Sequence, residues 1–194
     1  VTGKVGSGKS FFVQCFLEWA KEYYPKKVFI NIDIDSIWHN QLNDHDIKKN
    51  LVSCFGDTIL DENGNVHKAL LAMCAFESKS SLHKLNHISF PVINNCIKNI
   101  LSKYENKANH SLIISGGYLH QLEVKEKVNQ CIIINANEQI RQTKLCNIKK
   151  QIDRFQLSTD EYKKMGTTVI NNEYDMEKFK TDIRCLNVPL KGVL

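Results

Sequence analysis

An α/β fold built on a parallel sheet is predicted by three observations. Short β-branched runs recur along the 194 residues, helical patterns separate them, and a glycine-rich loop opens the first helix. The runs are Lys27 to Ile32, Ser111 to Ser115, Cys131 to Asn135 and Thr167 to Ile170. Each is almost continuously apolar, as parallel strands covered on both faces are. A fifth strand is expected just ahead of the loop, where only Val1 and Thr2 stand. That shortfall carries an expectation that residues are absent at the amino end. The short stretch before Thr167 carries the same expectation near Met165–Gly166.

Gly3 to Ser10 reads GKVGSGKS, an unbroken G-x-x-x-x-G-K-S/T pattern. The backbone N–H groups of Gly6, Ser7, Gly8 and Lys9 can wrap the phosphates of a nucleotide, and glycine lets the backbone approach an anion closely. The candidate nucleotide-binding residues are Gly3, Lys4, Val5, Gly6, Ser7, Gly8, Lys9, Ser10 and Phe11. Lys9 is expected to reach the β- and γ-phosphates, and the Ser10 hydroxyl to be a ligand of Mg²⁺. Phe12, Cys15, Phe16 and Trp19 follow at helical spacing, so a helix N-terminus points at the anion site.

The strand after this helix ends in INIDIDSIWHN, from Ile30 to Asn40. If it continues, Asp33 and Asp35 project from one side, beyond the carboxyl end of a parallel strand, where open α/β sheets bind ligands. A carboxylate there can orient an attacking hydroxyl and take its proton. Asp33 is assigned that chemistry. Asp35 or Ser36 is expected to cap a helix that starts at Ile37.

About eighty residues separate this strand from the next, far more than one crossover needs. Val66 to Phe76 is expected to be one helix, and a second is expected to begin near Ser89, with Ser89 as cap and Pro91 in the first turn. Its apolar stripe is Val92, Ile93, Cys96, Ile97, Ile100, Leu101 and Tyr104, and DENG (Asp61 to Gly64) reads as a turn. The reading is a helical insert over about 50–108 within a single domain spanning 1–194, placed to hold a second substrate against the nucleotide.

Composition narrows the function classes. Hydrophobic residues make up 42% and charged residues 24%, and the net charge of +5 is dispersed in lysine doublets. With no basic stripe interleaved with aromatics, nucleic-acid binding is not expected. No stretch of about 18 apolar residues offers a membrane span. Seven cysteines never approach C-x-x-C spacing, which argues against zinc; their apolar settings predict reduced, buried thiols in a cytoplasmic protein. The oligomeric state stays open, with a monomer favoured.

The chain resembles the dephospho-coenzyme A kinases. TGKVGSGKS (Thr2 to Ser10) is similar to that family's TGGIGSGKS, and the IDID segment stands in place of its D-A-D. CFGDTILDENGNVHKALLAM (Cys54 to Met73), LNHISFP (Leu85 to Pro91) and VINN (Val169 to Asn172) match further family stretches in order. Departures are Phe90–Pro91 for His-Pro, GYLHQ (Gly117 to Gln121) for P-L-L-x-E, and Asn135 for an Asp.

The resemblance implies a P-loop NTPase three-layer fold with a five-stranded parallel sheet, an acceptor-binding insert and a short lid over about 144–165. It implies ATP, Mg²⁺ and dephospho-coenzyme A as ligands, and transfer of the γ-phosphoryl group to a ribose 3′-hydroxyl. Lys144 and Arg154 then become lid cations, Asn171 a neighbour of the adenine, and Lys9 and Asp33 the residues at the reacting centre. Competing readings are another small-molecule kinase on the same core, or a non-catalytic nucleotide switch. SLIISGG (Ser111 to Gly117) ends without the acidic residue such switches carry.

Overall fold

The structure, a computed structural model, describes residues 1–186. Helix α1 (Lys9–Tyr23) follows the glycine loop and leads to β1 (Val28–Asp33). Four helices come next: α2 (Ile34–Gln41), α3 (His45–Phe55), α4 (Lys68–Ala75) and α5 (Lys79–Tyr104). Then follow β2 (His110–Ser115), β3 (Ile132–Ala136), α6 (Glu138–Thr143), α7 (Asn147–Arg154), α8 (Thr159–Met165), β4 (Thr168–Asn172) and α9 (Met176–Arg184).

All four runs read from the sequence are strands, each displaced by a residue or two. β1 pairs with β2 in parallel, Val28 opposite His110 through Asp33 opposite Ser115. β3 pairs with β4 in parallel, Ile132 opposite Thr168 through Ala136 opposite Asn172. Residues 1 and 2 touch both pairs. Val1 N donates to Ile114 O at 2.7 Å, and Thr2 N to Ile132 O at 2.9 Å. The Gly116 and Ile134 amides return bonds to the carbonyls of Val1 and Thr2, at 3.1 and 2.9 Å.

Alternation along the strands sends side chains to two faces, and helices cover both. Ile132, Ile134 and Ile170 pack with Phe12, Val13 and Phe16 of α1 and with Phe179 and Ile183 of α9, joined by Phe29 and Ile113 from the other pair. Ile32 and Ile114 pack instead with Ile93 and Ile97 of α5 and with Ile34. A third cluster lies wholly among the helices between β1 and β2: Leu42, Leu51, Ile59, Val66, Leu71, Ala75 and Leu85. The DENG turn is present, with the Asp61 carboxylate accepting the amides of Asn63 and Asn65 and Gly64 at φ 73°.

Three expectations fail. Pro91 does not sit in a first turn: α5 starts at Lys79, capped by the Ser78 hydroxyl on Ser81 N at 3.0 Å, and Pro91 lies inside it. An interior proline costs a helix about 3 kcal/mol. Here α5 buries Leu82 and Leu85 before the proline and Ile93 and Ile97 after it, in two different clusters, and that burial holds the helix together. The strand carrying Asp33 does not continue to Asp35, because α2 begins at Ile34 and its cap is Asp33 rather than Asp35 or Ser36. The thiols are free, as expected, but Cys15 alone is buried; Cys54, Cys146 and Cys185 are exposed.

Candidate active site

The glycine loop joins the Val1–Thr2 segment to α1, and its conformation depends on three glycines. Gly3, Gly6 and Gly8 have φ of 143°, 78° and 99°, where a side chain is strained. Contacts add to this: a Cβ on Gly3 would stand 2.3 Å from Ile134 O, and one on Gly8 2.4 Å from Asn172 Nδ2.

Lys9 curls back over this loop. Its Nζ donates to Gly3 O and Lys4 O, each at 2.9 Å, which fixes the ammonium at the mouth of the anion site. Burial lowers its pKa to about 8; Asp35 and, less strongly, Asp33 oppose that shift, while Arg141 and Lys149 add to it. Ser10 is exposed in the first turn of α1. Phe11 belongs to the packing: its ring stacks on Phe179 with centroids 5.8 Å apart.

A polar network from the far end of the chain grips the loop from outside. Arg141, 1% exposed, donates from Nη1 to Val5 O at 2.7 Å and from Nη2 to Glu138 Oε1 at 2.6 Å and Asp153 Oδ2 at 3.0 Å. Lys4 Nζ lies 3.3 Å from Asp153 Oδ1, and Gln142 Nε2 donates to both carboxylates. Desolvation works against both acids, yet the hydrogen bonds from Arg141 and Gln142 hold Glu138 and Asp153 below the usual carboxylate range. Val5 N donates to Gln156 Oε1 at 2.6 Å, and Asn172 Nδ2 to Ser7 O at 3.0 Å. Tyr174 donates its hydroxyl to Gly6 O at 3.3 Å, and Lys144 Nζ sits 3.6 Å from the centre of its ring. Every residue from Gly3 to Ser7 therefore has a contact to a side chain or main-chain atom outside its own neighbours.

The sequence singles out the loop and Lys144 but not these clamps. Asn171, chosen as adenine neighbour, is exposed on β4 and accepts from Asn135 Nδ2 at 2.8 Å; its neighbour Asn172 is the buried one. Alternation from Ile170 would have selected Asn172, since the two share a face of β4. Arg154 is exposed in the last turn of α7 and makes no ion pair among the described residues. Its neighbour Asp153 is the side chain that reaches the loop. Arg141 and Glu138 sit three apart on α6, a spacing that signals a pair but not its burial.

The helix cap falls on the other aspartate. Asp33 Oδ1 accepts Ser36 N at 2.8 Å and closes the start of α2. Asp35, in the first turn, makes no hydrogen bond or ion pair among the described residues. Burial raises its pKa, the Asp33 charge adds to the rise, and Lys9 opposes it. Asp35 is exposed to solvent yet coupled electrostatically to Lys9, and an unpaired carboxylate so placed is equipped to take a proton.

Comparison with known proteins agrees with this geometry. The family described as dephospho-CoA kinase (CoaE) matches residues 1–178. A dephospho-CoA kinase of Fusobacterium nucleatum is 26% identical over 184 residues, covering 91% of this chain and 90% of that one. One from Dehalococcoides mccartyi is also 26% identical, over 194 residues, with 96% and 93% covered. Among solved structures, a Thermus thermophilus protein superposes with TM-score 0.68 at 17% identity, over 94% of this chain and 92% of that one. A dephospho-CoA kinase from Campylobacter jejuni gives 0.56 at 18% identity, over 94% and 91%. With a clamped phosphate loop, a free carboxylate across from its lysine and a family match over nearly its whole length, this chain belongs to the dephospho-CoA kinase family.

Proposed function

We infer that the chain transfers the γ-phosphoryl group of ATP to the ribose 3′-hydroxyl of dephospho-coenzyme A. The observation that carries the reading is Lys9, pinned by two loop carbonyls at 2.9 Å and opposed electrostatically first by Asp35. In this reading the amides from Gly6 to Lys9 hold the triphosphate, and Lys9 follows its charge as it moves toward the leaving oxygen. Asp35 aligns the 3′-hydroxyl and takes its proton as that oxygen attacks the γ-phosphorus. The bond from the γ-phosphorus to the bridging oxygen breaks, and ADP leaves with its electron pair. Asp33, given this task on sequence grounds, acts instead by starting α2 and so placing Asp35.

Magnesium fits the donor chemistry, since the Ser10 hydroxyl is a hard, exposed oxygen at the end of the loop, and Mg²⁺ takes few protein ligands. When bound, the ion neutralises charge on the β- and γ-phosphate oxygens. Lys144, stored over Tyr174, and Arg154, free at the end of α7, are the lid cations of the segment 144–165. The insert, about 50–108, carries the acceptor. We place Val1–Thr2 between the two strand pairs, joining β1–β2 to β3–β4 in one five-stranded parallel sheet. A cytoplasmic setting suits the free thiols.

The test is an assay of ADP release with dephospho-coenzyme A, checked by mass for a product carrying one more phosphate. Nucleosides, nucleotides and a shikimate-like alcohol form the comparison panel. Turnover is expected with dephospho-coenzyme A alone, and Lys9→Ala should lower it by about 10³-fold while leaving the fold intact. Equal turnover on another acceptor would replace the substrate assignment.

A further inference from the structure

The turn leaving β2 passes over the phosphate loop on two glycines. A Cβ on Gly116 would stand 2.1 Å from Ile34 Cγ1, and one on Gly117 2.5 Å from Gln156 Nε2 and 3.9 Å from Gly3 O. The chain is thus threaded between the start of α2, which bears Asp35, and the anion site. Tyr118 is the first side chain after that passage. It stands in the GYLHQ stretch, where the sequence departs from the P-L-L-x-E pattern.

Its ring is fixed and its hydroxyl is not. The His120 ring packs on Tyr118 at 6.1 Å, and Tyr162 meets His120 edge-on at 5.9 Å. The Tyr162 hydroxyl donates to Gly117 O at 2.5 Å, tying α8 to the same turn. The Tyr118 oxygen is shielded from solvent and has no hydrogen-bond partner among the described residues. Buried hydroxyls are nearly always bonded, so one left open beside a substrate site calls for a ligand partner. Burial raises its pKa first, and the charges of Asp35 and then Asp153 raise it further, so the phenol stays neutral and able to donate.

We propose that Tyr118 is a specificity-determining residue for the acceptor, its hydroxyl hydrogen-bonding the ribose hydroxyl adjacent to the one that receives the phosphate. The proposal rests on the function inferred above, in which Asp35 holds the reacting hydroxyl. The two oxygens of a ribose cis-diol are neighbours, so their partners must be neighbours too. Asp35 is the foremost charge acting on Tyr118, and the glycine turn brings the two residues to the same edge of the loop. The nucleotide is held by the loop amides and needs nothing from this phenol.

The test crosses Tyr118→Phe with removal of the 2′-hydroxyl from dephospho-coenzyme A. In the wild type, the 2′-deoxy acceptor should lose roughly fivefold in kcat/KM, the scale of one buried neutral hydrogen bond. Tyr118→Phe should lose about the same with the normal acceptor, through KM, and nothing further with the deoxy acceptor. The KM for ATP and the melting temperature should stay put. A full deoxy penalty in Tyr118→Phe, an unchanged acceptor KM, or a shifted KM for ATP would overturn the assignment. So would a wild type indifferent to the 2′-hydroxyl, a measurement that needs no variant. A wild type that transfers nothing to dephospho-coenzyme A would sink the function itself, an outcome read before any of these.

Discussion

The nucleotide side and the acceptor side of this molecule treat polar groups in opposite ways. Around the glycine loop, Arg141, Glu138, Asp153, Gln142, Gln156 and Asn172 interlock, leaving the Thr2 and Ser7 hydroxyls as the buried groups there without a partner among the described residues. Along the edge facing the helical insert, the buried Tyr118 hydroxyl has none, and the exposed Asp35 carboxylate makes no hydrogen bond among the described residues. A satisfied network is rigid because each deletion strands a neighbour; an unsatisfied group is held only by packing. The phosphates therefore meet a surface already shaped for them, whereas the acceptor completes the surface it binds. Preorganisation on the side where charge develops is where electrostatic stabilisation is largest.

The sharpest break in this comparison sets Asp35 against Asp33. If Asp35 is the unpaired group that receives a proton, Asp35→Asn should lower kcat by about 10²- to 10⁴-fold, with ATP affinity kept. Asp33→Asn should do little, because Asn caps a helix as well as Asp does. Asp33→Ala should cost about 1 kcal/mol of stability, read by denaturant titration. A large kcat loss in Asp33→Asn with Asp35→Asn silent would return the chemistry to the residue the sequence singled out.

The position of the α2 cap shows where sequence reading reaches its limit. The strands were legible because continuous β-branched runs leave few alternatives, and the glycine loop because its backbone needs glycine wherever φ is positive. Pro91 misled because local preference argues for a helix start while two separate hydrophobic clusters, far apart in sequence, hold α5 straight through it. The helix cap was misplaced for a local reason: a one-residue difference in where β1 ends decides which carboxylate closes the start of α2. Element boundaries of that precision are set by packing. The clamps on the loop come from residues 138 to 174, more than a hundred positions away, and nothing in their local pattern announces burial.

On the satisfied side, removing a partner should hurt stability rather than open a site. Asp153→Ala leaves Arg141 buried with Glu138 as its remaining acid and strips Lys4 of its nearer carboxylate. Breaking a buried pair in this way costs about 3 kcal/mol. In a chain of this size that lowers the melting temperature by about 6 to 12 °C. Tyr118→Phe on the acceptor side should leave it unchanged. If Asp153→Ala melted like the wild type, the interlocked picture of the loop would be wrong.

The smallest effect tests the same rigidity through a proton. Lys9 titrates near pH 8 in the free protein, chiefly because burial disfavours its charge. A bound triphosphate favours that charge, so nucleotide binding at pH 8 to 9 must draw a proton from solvent. ATP affinity should then be about tenfold weaker at pH 9 than at pH 7. Calorimetry in buffers of differing ionisation enthalpy reads the proton directly. Stability moves the other way. The folded pKa lies below that of an unfolded lysine, about 10.4, so the unfolded chain holds more protons between pH 8 and that value. Through this group, the ligand-free protein gains stability as pH rises across that window. Lys9→Ala should abolish both slopes at once. Were ATP binding to keep its slope in Lys9→Ala, the titrating group would lie elsewhere in the cleft.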